Sequence, residues 1–163
     1  MYCLTIDVSE PFRSALAQSR ASEVCDENAQ SAADFFGRGM ARLALGRRDD
    51  ARSDFLAAQK DFEWPCALEL IFLNLQTGGS ELEAIADVRM LLRKIESRSL
   101  LAARALHVLG IAEQKAGNIP EAVDAFHQAT QLYHELNQPL GVAHVYDRHG
   151  QLEAMRGRHD LAA

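Results

Sequence analysis

A small residue returns to the same place along this chain, and that recurrence limits the folds open to it more than any other feature. In "GRGMARLALGRRDDARSDFLAA", Gly39 is followed by Gly46, Ala51, Phe55 and Ala58. In "LGIAEQKAGNIPEAVDAFHQA", Gly110 is followed by Gly117, Ala122, Phe126 and Ala129 at identical offsets. Gly150, Gly157 and Ala162 keep the frame once more. Gly79, Ala84, Val88 and Leu91 keep it loosely in between, with Phe72 where the others have glycine. A glycine inside a helix costs about 1 kcal/mol relative to alanine, so three in register need a shared reason. Close approach of a neighbouring helix backbone supplies one, since only a missing side chain permits it.

The residues between these marks read as helix ends. Gly117 sits where a left-handed residue closes a helix, Asn118 with Glu121 has capping-box spacing, and Pro120 falls in a first turn, where no donor is lost. Ser80 and Glu83 repeat the box one residue after Gly79. With 48% apolar residues, 7% aromatics and four prolines in 163 residues, the composition is that of a folded, helix-rich chain. The expectation is an all-α array of antiparallel helical hairpins in four units, at about 32–64, 65–102, 103–142 and 143–163. Residues 1–31 form an arm and a capping helix. There Ser9 is the expected cap, Pro11 lies in the first turn, and Phe12, Leu16 and Ala17 recur at helical spacing. Leu4, Ile6 and Val8 alternate as a short strand-like arm, either loose or paired with another chain.

Gly39, Gly110 and Gly150, with Ala51, Ala84, Ala122 and Ala162, Phe55 and Phe126, and Ala58 and Ala129, resemble the small and large positions of the tetratricopeptide repeat (TPR) family. The resemblance covers about residues 32–163 and implies a right-handed superhelix of stacked hairpins. Gly110 to Gly150 spans 40 residues, longer than the roughly 34 of a standard unit. The extra length falls in "YHELNQPLGVAHVYD", where Asn137 and Pro139 precede a longer helix. That form is similar to the subtype found in bacterial signalling and transcription regulators.

The resemblance also implies where a ligand sits, along the first helix of each unit. In the first unit those positions include Phe36, Met40 and Leu43, an apolar set that either grips a partner helix or buries itself under the leading helix. In the second they include Glu69 and Leu73. In the third they are Arg104, His107, Ile111, Gln114 and Lys115, whose basic members would meet an acidic group or chain terminus or remain solvated surface charge. The fourth contributes His144, Asp147 and Gln151. A chaperone-tail clamp is not expected, because the first unit's positions are apolar and none of these residues is asparagine.

Other chemistries leave little trace. The net charge is −6 and no unit is net positive, so this segment is not expected to bind nucleic acid. No stretch is long and apolar enough to span a membrane, and "MYCLTIDVSEPF" lacks a secretory leader. Cys3, Cys25 and Cys66 are odd in number with no metal-type spacing, which fits reduced thiols in a cytoplasmic protein. No nucleophile motif, phosphate loop, HExxH or HxxxH occurs, so neither catalysis, cofactor nor metal is expected. His127 and His134, two turns apart, read as outer-face surface histidines. His107 and His144, if they share the groove, would make it pH-sensitive. "RRDDARSD" reads as an exposed turn with acidic residues at a helix start. The ending "RHDLAA" falls partway into a second helix, which implies either a longer native protein with an output domain or a second copy covering the end. The expected function is protein or peptide binding within a bacterial regulatory system; the alternative is a structural module that dimerises through its open end.

Overall fold

The computed structural model describes residues 7, 8 and 10–160, with side chains as far as Leu152. The chain divides into two compact units, Met1–Gly79 and Ser80–Ala163. The first holds α1 (Phe12–Ala17), a 3-10 turn (Ala21–Glu23), α2 (Ala32–Ala44), α3 (Arg48–Ala58) and α4 (Glu63–Gln76). The second holds α5 (Glu81–Leu92), α6 (Leu100–Lys115), α7 (Ile119–Glu135) and α8 (Pro139–Asp160). No strand occurs among the described residues, so the all-α expectation holds. Within each unit, consecutive helices pack as neighbours: α1 on α2, α2 on α3, α3 on α4, then α5 on α6, α6 on α7, and α7 on α8.

The recurring glycines are where the hairpins close. A Cβ on Gly39 would lie 2.8 Å from the Phe55 ring, and one on Gly110 would lie 2.5 Å from the Phe126 ring. The close approach is therefore made by a phenyl ring of the second helix rather than by its backbone. Phe55 and Phe126 are fully buried in consequence, and burying such a side chain stabilises by roughly 1.5–3 kcal/mol. Gly37 does the same for the leading helix, since its Cβ would meet Phe12 at 2.7 Å. Phe12, Leu16 and Val24 thereby join Phe36, Met40, Phe55 and Leu73 in one core.

The ends of α2, α4, α6 and α7 follow one device. Gly46, Gly78, Gly117 and Asn137 all have φ between +54° and +87°. The next N–H then returns to a carbonyl five residues back: Arg47 to Arg42 (2.9 Å), Gly79 to Asn74 (2.8 Å), Asn118 to Glu113 (2.9 Å) and Gln138 to Tyr133 (2.8 Å). These are Schellman caps. Ser80 caps α5 by accepting the Glu83 N–H, Ser99 caps α6, and Ser31 with Asp34 forms a full capping box on α2. Pro120 stands in the first turn of α7.

Several expectations need correction. In the second frame the left-handed residue is Gly78, not Gly79, because the turn is fixed by the Gly79 N–H reaching Asn74. Asn118 does not cap α7; its Nδ2 donates instead to the buried Glu113 carboxylate at 2.7 Å. Pro11 precedes the first turn of α1, and Ala15 rather than Ala17 faces the core. Val8 is buried in the first unit's own core and is not part of a free arm. Leu4, Ile6 and Ser9 lie outside the described residues. Gly157 does not end a helix, since α8 runs through it to Asp160; glycine permits the left-handed turn without imposing it. Ala162 lies outside the described residues.

"RRDDARSD" is only partly exposed. Asp49 and Asp50 open α3 on the surface, but Asp54 is buried. Its carboxylate accepts from Arg38 Nη2 at 2.7 Å and Arg42 Nη1 at 2.9 Å. The same guanidiniums donate onward to the carbonyls of Glu27 and Cys25, both at 2.9 Å. The 3-10 turn and the loop behind it are thereby fastened to the α2–α3 hairpin.

Candidate functional site

The residues expected to line a groove separate by unit. In the first, Phe36, Met40, Glu69 and Leu73 are buried, and Leu43 is half-buried against the same core. The Phe36 ring lies 5.5 Å from that of Phe55. Phe36 and Met40 thus follow the second of their two possible destinations, the core under the leading helix. Cys66 shares this interior; burial first, then the charge of Glu69, pushes its thiol up to about 12, which leaves it protonated and unreactive.

In the second unit the expected positions divide between interior and surface. Ile111 and His107 are buried, Arg104 and Gln114 half-buried, and Lys115, His144, Asp147 and Gln151 exposed. His107 packs edge-on to Phe126, ring centres 6.0 Å apart, and its Nε2 finds no hydrogen-bond partner. Burial, then the positive charges of Arg104, His144 and Arg148, hold its imidazole well below the usual histidine range. His107 is buried while His144 faces solvent, so the two do not stand together in an open groove. Asp147 accepts from Gln151 at 3.0 Å and Arg148 donates to the same Gln151 at 3.4 Å, giving α8 a polar strip.

The opposite flank of α8 was not foreseen as a site. There α7 and α8 enclose a cleft of about 480 Å3, within the range of small-ligand and peptide pockets. Val123, Phe126, His127, Thr130, Gln131 and His134 line it from α7, and Val145, Tyr146 and His149 from α8. Phe126 and Val145 form a buried floor, while Tyr146 is 58% exposed. His127 and His134, expected on an outer face in solvent, are exposed but stand along this cleft.

No protein-family model matches the chain, and no curated protein matches it.

The cleft combines an apolar floor, one exposed phenol and imidazoles along the edge. Among the described residues, no three His, Cys, Asp or Glu side chains lie close enough to hold a metal ion. No helix among them is long and apolar enough to cross a membrane. The signal for the cleft was present in the sequence, since positions 123, 127, 130 and 134 share one face of a helix. Only their partner face on α8 was hidden, because it depends on how α8 leaves the turn at Asn137.

Proposed function

We propose that the chain is a protein- or peptide-binding module, the interaction or sensing segment of a bacterial regulatory protein, with its hairpins continuing as a right-handed TPR-like stack. The observation that carries this reading is the α7–α8 cleft, an open apolar trough edged by hydrogen-bonding groups and sized for side chains of a bound segment. The matched seating of Phe55 on Gly39 and Phe126 on Gly110 supports the repeat architecture. On the other flank of α8, Arg104, His144 and Arg148 suit an acidic group of the same ligand.

Panning a random peptide library against the immobilised chain tests the reading. Enriched peptides should bind in solution and shift the amide resonances of Tyr146 and His149. A library that yields no binder, or binders that leave α7 and α8 untouched, ends it.

A further inference from the structure

Helix α5 carries an apolar line that its own unit leaves in solvent. The helix packs on α6 and buries Ala84, Ile85, Val88 and Leu91. Its opposite side repeats every fourth residue as Leu82, Ala86 and Met90, neighbours along one helix face. Leu82 is 72% exposed and Met90 53%, and Ala86 between them is exposed as well. A single exposed hydrophobic is ordinary on a protein surface. Three at one-turn spacing, with the smallest in the middle, form the stripe by which one helix packs on another. The charges around this stripe are segregated. Glu81, Glu83 and Asp87 lie in the first half of the helix, and Arg89, Arg93 and Lys94 in its second half and the turn that follows. Glu83 and Asp87 are like charges four residues apart, as are Arg89 and Arg93, an arrangement that destabilises a lone helix. Arg89 pairs with Glu113 on α6 at 2.7 Å; among the described residues the other five charges make no ion pair. The helix dipole favours acid first and base last, but it does not account for Leu82, Ala86 and Met90.

We propose that this face of α5 is an interface between two copies of the chain, the two helices running antiparallel about a two-fold axis at Ala86. The stripe is complementary to itself under that symmetry. Positions 82 and 90 are equidistant from 86, so Leu82 of each copy meets Met90 of the other, and the paired Ala86 residues let the helices close up. The acidic half of each helix then lies along the basic half of the other, with Glu83 on the same flank as Lys94 of the second copy. A parallel pairing would set acid on acid and base on base, which the charges forbid. The 12 residues of α5 span about 18 Å. That contact is smaller than a standard interface, so the dimer is weak, with a dissociation constant on the order of 100 μM. None of the residues lining the α7–α8 cleft is on α5, and the inference stands whether or not the cleft takes a peptide.

Sedimentation equilibrium of the full chain across a range of about 5 to 500 μM reads this directly. Wild-type chain should pass reversibly from monomer to dimer, and the Leu82 and Met90 methyl resonances should shift with concentration. Leu82→Glu lies on open surface, so it should melt like the wild type while weakening the dimer about ten-fold or more. Two charge variants tie the contact to this face. Glu83→Lys with Asp87→Lys leaves the free charges flanking the stripe all basic, and Arg93→Glu with Lys94→Glu leaves them all acidic. Each should stay monomeric alone, and an equimolar mixture of the two should dimerise at least as tightly as the wild type. A monomer at every concentration overturns the proposal. So does a dimer indifferent to Leu82→Glu, which puts the contact on another face, or a pair of charge variants that fail to associate when mixed. Leu82 and Met90 methyls shielded from a soluble paramagnetic probe at the lowest concentration also overturn it, because the chain then covers the stripe itself.

Discussion

At the scale of single residues, the glycines of the repeat frame are not interchangeable. Gly110→Ala gains helix propensity but drives a methyl into the Phe126 ring, a net loss of about 1–2 kcal/mol. Gly150→Ala meets open space and should stabilise by up to about 1 kcal/mol. Urea denaturation of the two variants should give shifts of opposite sign; shifts of the same sign would remove the role assigned to the rings. His107 gives a pH signature. Its folded-state value lies below its unfolded one, so the native chain binds fewer protons than the unfolded chain once pH falls below about 6.5. Stability is then lost on acidification, by up to about 1.4 kcal/mol per pH unit from this one proton. His107→Phe should flatten that part of the stability-versus-pH curve, and an unchanged acid limb would contradict the assignment.

At the scale of elements, the first unit depends on a buried charge that the hydrophobic pattern hides. Asp54→Ala leaves Arg38 and Arg42, both largely buried, without their carboxylate. That should cost about 3–5 kcal/mol, read by thermal denaturation, with exchange of the backbone amides at residues 24–30 rising in parallel. An exposed carboxylate would give less than about 1 kcal/mol, so the two descriptions of "RRDDARSD" separate cleanly. This element also shows where sequence reading stops. Helix existence, the glycine seats and three of the four Schellman caps described above follow from local residue chemistry, which a sequence carries directly. The partners of Asp54, Arg38 and Arg42, sit on another helix, and Glu113 accepts from Arg89 on α5 as well as from Asn118 in a turn. Which side chain meets which carboxylate is decided by packing, not by spacing.

At the scale of the whole chain, each unit carries its own core, and α5 to α8 pack among themselves. Residues 80–163 expressed alone should therefore keep a helical spectrum and a single cooperative melt; a gradual, non-cooperative loss of ellipticity would show that this half cannot stand by itself. The candidate site was legible only in part. Arg104, Gln114, Lys115, His144, Asp147 and Gln151 lie on exposed or half-buried surface, as their polarity alone leads one to expect. The apolar set could not be assigned from spacing, because a core face and a binding face carry the same residues. Phe36 and Met40 are core because α1 lies on α2, a fact of tertiary packing.

One contact reaches further than its size. Tyr133, near the end of α7, presses its ring against the bare Cα of Gly141 in the first turn of α8, where any Cβ would come within 2.3 Å. That pair acts as the fulcrum of a pair of tongs. A single methyl at position 141 would pry the arms apart from their joint, so the gap between Thr130 and Tyr146 is set from a position outside the cleft lining.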